Sequence, residues 1–201
     1  MNEMEKYLRS CRSEFWQKVF RAELEYLLPH LIAGAKVLSV GCGPAIIEKA
    51  LNAHGINVTG LDVSREALAY APDTVRTVAG RAEDMPFADS AFDAVIFVAS
   101  LQFVQDYKKA VAETTRVLRP QGLFLALLLN PDSDFFKRKL RNADSYVRKI
   151  KHTNLKEIEN TVTEKYQVQT EYYLGITADN RLFSTREPAD AVLYIIKGTK
   201  K

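Results

Sequence analysis

The stretch KVLSVGCGPAIIEKALNAHG, residues 36–55, joins a short apolar run to an amphipathic one through two glycines a single residue apart. KVLSV is partly β-branched and bounded by Gly34 and Gly41, which reads as a buried strand. Pro44 suits a first helical turn and Gly55 a helix stop. Glycines this close together are entropically costly in an ordered chain, so they mark a bend where the backbone turns sharply or approaches a ligand.

Working outward, the same alternation recurs. INVTGLDVS reads as a second strand, SREALAYAP as a short helix, TVRTVAG as a third strand and FDAVIFVAS as a fourth, apolar enough for burial on both faces. QDYKKAVAETTRVL is an amphipathic helix, and RPQGLFLALLLN a turn leading into a fifth strand. Strand–helix alternation of this kind predicts right-handed βαβ units, hence a parallel sheet covered by helices on both sides. Ligands of such sheets sit outside the carboxyl ends of the strands, where strand order reverses.

Upstream, residues 4–32 carry Leu8, Phe15, Val19, Leu24, Leu27, Leu28 and Leu31 at helical intervals, with Pro29 ending or splitting the helix. Downstream, a basic stretch and a helix at 155–163 precede YQVQTEYYLGI and AVLYIIKG, which read as strands. The expected organisation is one domain over 1–201: a helical cap at 1–33, a binding core at 34–130, a helical insertion at 131–164 and closing strands at 165–201.

A chain of 201 residues with 47% apolar content can bury one core and is short for two. The 28 basic residues are nearly matched by 25 acidic ones, a balance that does not by itself predict nucleic-acid binding. Cys11 and Cys42 belong to no spaced cluster, the first residues lack the apolar core of a secretory signal, and LFLALLL is far short of a membrane span. A reducing, cytoplasmic setting without membrane or metal is expected.

A dinucleotide fingerprint, G-x-G-x-x-G/A, requires a small residue where this chain has Ile46. The spacing G-x-G-x-small is met instead by Gly41, Gly43 and Ala45. The chain resembles the class I S-adenosylmethionine-dependent methyltransferases, specifically the small single-domain, type 11-like members. Four motifs in order carry the resemblance: VLSVGCGPA; VTGLDVS; AGRAEDMPFADSAFDAVIFVASLQFV; and ETTRVLRPQGLFLALLLN.

The resemblance implies a Rossmann-like, mostly parallel sheet of seven strands with helices on both faces and the last strand antiparallel. It also implies S-adenosyl-L-methionine as methyl donor, S-adenosyl-L-homocysteine as product, and a small-molecule acceptor. RNA or protein methylation, and a non-catalytic donor-binding interaction module, stay open as alternatives. Gly41, Cys42 and Gly43 would flank the methionine part of the donor, Asp62 the ribose hydroxyls and Val63 the adenine. Ala82 and Glu83 would meet the adenine edge, Phe97 and Val98 would lie beside the donor, and Leu101 would close over the adenine. Asp62 would serve equally as a cap for a helix starting near Ser64.

Ser39 stands where the family usually has an acid, Arg81 where many members have Asp, and Gln102–Phe103 where many have two histidines. On that ground Ser39→Asp is expected to tighten donor binding. Cys42 reads as a small loop residue and not a nucleophile, and no catalytic residue is assignable. Tyr7, Arg12, Phe15 and Trp16 are candidates to cover the donor. His152 is a candidate acceptor contact, whereas His30 and His54 read as surface positions at helix ends. Lys137, Arg138, Lys139, Arg141, Arg148, Lys149 and Lys151 form either a solvated face or a seat for an anionic acceptor or an RNA backbone.

Overall fold

The computed structural model describes residues 3–201, so the first two residues of the expected cap lie outside the described residues. Strand β1 (Lys36–Val40) pairs in parallel with β2 (Asn57–Asp62) on one side and β4 (Phe92–Val98) on the other. Strand β3 (Arg76–Ala79) extends the sheet beyond β2, and β5 (Leu118–Leu129) beyond β4, both in parallel. Then β8 (Ala191–Lys200) runs antiparallel between β5 and β6 (Tyr166–Ile176), so the last strand is reversed as expected.

The order is β3-β2-β1-β4-β5-β8-β6-β7, eight strands where seven were expected. The addition is β7 (Leu182–Phe183), a two-residue strand too short to show any periodicity. It packs tightly, because a Cβ at Gly175 would meet the Phe183 ring at 2.2 Å.

Alternating side chains of the central strands build two cores. Val37, Ile96, Leu125 and Ile195 face helices α2 (Glu14–Leu27) and α3 (Ile46–Ala53). Leu38, Val95, Phe97, Phe124 and Ile196 face α5 (Tyr107–Val117) and α7 (Leu155–Thr163). Helix α7 has the bounds expected, but the rest of 131–164 adds α6 (Asp134–Leu140) and a 3-10 turn at Tyr146–Lys149. Those two elements pack on the α2–α3 face through Phe135, Phe136 and Val147, opposite to α7.

The N-terminal helix ends at Pro29 as expected, and a further break divides it upstream. Ser13 separates α1 (Glu3–Cys11) from α2, its hydroxyl accepting the Trp16 N–H, while Pro29 sits in a 3-10 turn after α2. Pro44 lies in the loop before α3, not in its first turn, because left-handed Ala45 (φ 57°) precedes Ile46. The RPQG segment belongs to β5, where it forms a bulge and not a turn ahead of the strand: Phe92 pairs with Leu118 but Ala94 with Leu123, and Gln121 takes φ 61°. A short helix α4 (Arg65–Leu68) follows β2, capped by Ser64.

Two polar side chains hold the loops above the sheet. Arg116 binds Glu113, Asp89 and the carbonyls of Met85 and Phe87, which fixes the MPFAD loop to α5. Gln102 is fully buried beyond the end of β4. Its Oε1 accepts the Leu129 N–H at 2.7 Å, and its Nε2 donates to the carbonyls of Leu129 at 3.1 Å and His152 at 3.2 Å. The amide thus continues the β5 ladder where β4 has stopped, and ties the 131–164 segment to it.

Removing that amide leaves buried backbone groups unsatisfied, at about 1–3 kcal/mol each. Gln102→Ala should therefore lower stability by about 2–4 kcal/mol in urea unfolding, with faster amide exchange at Leu129, Lys151 and His152. A loss under about 1 kcal/mol, with exchange unchanged, would refute this role.

Candidate active site

The strand order reverses between β1 and β4, and a cavity of about 620 Å³ opens above that point. Its floor is the carboxyl ends of β1, β2, β4, β5 and β6 and the start of β8, through Val40, Leu61, Val98, Leu129, Ile176 and Val192. Its roof is Tyr7 of α1 and Trp16, Val19, Phe20 and Glu23 of α2, with Phe135 and Tyr146 from the insertion. The volume lies within the roughly 300–1,000 Å³ usual for small-molecule sites.

The glycine loop after β1 has a simple rule. Gly41, Gly43 and Ala45 take φ of 77°, 54° and 57°, so every second residue is left-handed. Position 41 has a further constraint, since a Cβ there would meet Ser100 Cβ at 2.5 Å. Ser100 Oγ donates to the Val40 carbonyl at 2.5 Å, which brings the end of β4 against the end of β1. Gly41, Cys42 and Pro44 line the cavity. Gly43 acts through its N–H, which donates to Asp62 Oδ2 at 2.8 Å; Asp62 Oδ1 accepts the Ser64 N–H at 2.8 Å. Asp62 is therefore not the helix cap, a role Ser64 fills, and it stands at the mouth of the cavity beside the exposed Val63.

Cys42 also lines the cavity, with Sγ against Gly60, where a Cβ would come within 2.6 Å. Burial and the neighbouring Glu48 and Asp62 carboxylates push its thiol well above the ordinary range, so it is not a nucleophile at neutral pH.

Ala82 and Glu83 line the cavity, as does Val98. Glu83 Oε1 accepts the N–H groups of Gln105 and Asp106 at 2.9 and 3.1 Å, and Arg81 lies 3.5 Å from its other oxygen. Against the burial that would raise it, these partners hold the Glu83 carboxyl below its usual range.

Phe97 and Leu101 do not reach the cavity. Both are fully buried on the opposite face of the sheet, Phe97 against the ring of Phe124 at 5.7 Å. The expectation for Phe97 was one residue out of register, because neighbouring side chains on a strand point to opposite faces.

Ser39 faces the α3 side, and its Oγ donates to Glu48 Oε1 at 2.5 Å. Glu48, in the first turn of α3, is 2% exposed and lines the cavity. Glu23 of α2 is 6% exposed, lines the same cavity, and forms no hydrogen bond or ion pair among the described residues. Burial pushes the Glu48 carboxyl up to about 7, and burial together with the Glu48 charge pushes Glu23 up to about 8. Sequence reading passed over both residues. The signal was their position within apolar stripes: Glu23 falls four residues from Val19 and from Leu27, and Glu48 three from Leu51.

Among the other candidates, Tyr7 and Trp16 line the cavity, and Phe15 sits between Trp16 and Phe135, edge-on to the first and tilted to the second. Arg12 is exposed at the α1–α2 break. His152 lies against Tyr107 and the Val104 carbonyl, and its neighbour Lys151 reaches the cavity, donating to Gln105 at 2.7 Å. Several of the basic group make contacts within the chain. Arg138 holds the carbonyls of Ile176 and Thr177, Arg148 that of Leu140, and Lys139 sits 5.3 Å from the Phe135 ring centre. Among the described residues no cluster of His, Cys, Asp and Glu could hold a metal ion, and no helix is long and apolar enough to cross a membrane.

Residues 38–126 match a family described as a methyltransferase domain. A demethylmenaquinone methyltransferase of Staphylococcus haemolyticus is 38% identical over 108 residues, covering 49% of this chain and 45% of the relative. A malonyl-[acyl-carrier protein] O-methyltransferase of Erwinia billingiae is 36% identical over 104 residues, covering 50% of this chain and 41% of the relative. The chain thus spans under half the length of these two curated relatives. The solved structure of an S-adenosylmethionine-dependent methyltransferase of Thermotoga maritima, described as a possible histamine N-methyltransferase, superposes with a TM-score of 0.81 at 18% identity. That match covers 99% of this chain and 96% of the Thermotoga chain, so the shared fold extends beyond the residues the family match spans. The four ordered motifs, the matched core at 38–126 and this fold together support a class I S-adenosylmethionine-dependent methyltransferase of the type 11-like kind.

Proposed function

We propose that this protein transfers a methyl group from S-adenosylmethionine to a small-molecule acceptor in the cytoplasm. The observation that carries the reading is the cavity at the switch point, with the Glu48 carboxyl buried at its wall and, among the described residues, no cation beside it. The donor is a cation at its sulfonium and its ammonium, so the residues present fit it. Glu48 supplies the charge that Ser39 lacks, and Ser39 orients it. Gly41 and Cys42 allow close approach of the methionine part, Asp62 keeps lone pairs for the ribose hydroxyls, and Val63 and Ala82 flank the adenine. The relatives whose names mention menaquinone and malonyl-carrier substrates support a non-polymeric acceptor. Arg138, Arg148 and Lys151 of the basic group are engaged within the chain, which disfavours that group as a seat for an RNA backbone.

When bound, the donor supplies an electrophilic methyl group. The chain's part is to hold the acceptor in line and exclude water, which can contribute roughly 7–11 kcal/mol toward the barrier. The apolar roof of Trp16, Phe20 and Phe135 excludes water, and the glycine loop fixes the backbone beneath it.

Calorimetric titration should show binding of S-adenosylhomocysteine. Glu48→Gln should weaken it about 10- to 100-fold, the loss of one charge-assisted hydrogen bond. Ser39→Asp should not tighten it, because a second acid would stand against Glu48. Failure of both donor and product to bind at millimolar concentration would end the reading.

The carboxyl pair also makes stability depend on pH. Both groups hold protons more tightly folded than unfolded, where the ordinary value is 4.5. Their stabilising contribution is therefore complete below that value and is lost as the pH climbs through about 7 and about 8. The melting temperature of the ligand-free protein should fall between pH 6 and pH 9, and Glu23→Gln should flatten that fall. A profile unchanged by the substitution would show that Glu23 is not the titrating group.

A further inference from the structure

Two buried acids exceed what the donor's amino-acid end requires, and they differ in setting. Glu48 is oriented by Ser39 beneath the glycine loop, on the β1 side of the cavity. Glu23 reaches in from the roof helix. The groups that feel its charge besides Glu48 are the phenols of Tyr7, Tyr146 and Tyr173, which belong to the roof, the insertion and β6. Helix α6 of the insertion packs on β8, and the Tyr173 hydroxyl of β6 donates to the Ala22 carbonyl of α2, whereas Asp62 ends β2 on the other side of the switch point.

Around Glu23 the wall is aromatic. Trp16 lies 6.1 Å from Phe20 and 6.0 Å from Tyr146, ring centre to ring centre, and all three line the cavity. A carboxyl without a partner among the described residues, more than nine-tenths buried among aromatic side chains, is the environment that selects an organic ammonium ion: the rings attract the cation and the carboxylate neutralises it. The cations at the cavity edge are already engaged, Lys151 with Gln105 and Arg81 with Glu83, so they do not favour an anionic acceptor.

Building on the proposed transferase reading, we infer that the acceptor is a small primary or secondary amine with an apolar or aromatic body, and that Glu23 binds its ammonium group and takes its proton. The ammonium N–H proton passes to a Glu23 oxygen, which frees the nitrogen lone pair. That pair forms the new N–C bond as the methyl–sulfur bond breaks, and the bonding electrons stay on sulfur. The sulfonium becomes a neutral thioether and the product leaves as a methylammonium ion. A carboxyl raised by burial is better matched to this proton transfer near neutral pH than an ordinary one.

The test uses the full chain saturated with S-adenosylhomocysteine, titrated calorimetrically with phenethylamine, 2-phenylethanol and 3-phenylpropanoate, alongside a methyl-transfer assay on the same three and a panel of alkyl and arylalkyl amines. Amines should bind at least tenfold more tightly than the alcohol or the acid, and methylation should appear on nitrogen. Glu23→Gln should lower amine affinity and turnover at least 100-fold while leaving S-adenosylhomocysteine affinity within threefold, and Glu23→Asp should restore part of the loss. Preference for the alcohol or the acid, absence of any amine binding to the wild-type complex, or a drop of more than tenfold in product affinity in Glu23→Gln would each overturn the inference. A wild-type protein that fails to bind S-adenosylhomocysteine at all would bring down the transferase reading too, so the two failures are told apart by the first titration.

Discussion

The contact of Ser100 with Gly41 is the constraint around which the rest is arranged. A hydroxyl bonded to the Val40 carbonyl draws the chain leaving β4 against the chain leaving β1, and only a residue without a Cβ leaves room for it. Because these two strands flank the point where the order reverses, the contact fixes the width of the cleft between them. The left-handed residues at 41, 43 and 45 then carry the backbone over that contact and into α3, which delivers Glu48 to the cleft. Asp62 is drawn in by the Gly43 N–H, so the loop also sets the second strand's acid.

Most of the fold was legible because its signals are local. Apolar runs of four to seven residues between glycines, prolines and amphipathic stretches identify parallel strands without any knowledge of partners. The glycine loop, Asp62 and the loop at Ala82–Glu83 were readable for the same reason: each is a strand end followed by a turn. What escaped was either very short or defined by a distant partner. The strand β7 is two residues long, and the break at Ser13 competes with a stronger-looking breaker at Pro29. Phe97 was misjudged because its side of β4 depends on register, which a continuous apolar run does not reveal.

The acids show the same division. A missing acid at position 39 was visible, but its replacement lies nine residues later on a helix, and only the packing of α3 on β1 brings them together. Glu23 reads as one charge among many in a helix rich in them. Its burial follows from the way α2 lies across the cleft, a tertiary fact. A carboxylate within an apolar stripe is nonetheless a physical anomaly, since desolvating it without a partner is costly. Such anomalies are where ligand chemistry enters a sequence, ahead of any motif.

The far ends of the sheet have a consequence of their own. An eight-stranded open sheet has two borders, each a row of unpaired backbone groups able to recruit another chain. At one border β3 has four residues and opens on Arg76. At the other, β7 pairs only with Gly175 and Ile176 of β6, held by Phe183 lying over Gly175. The short strand that sequence periodicity could not register thus closes only one end of that border, and residues 166–174 of β6 keep an outer edge paired to no strand among the described residues, the stretch of this sheet on which another extended chain could add.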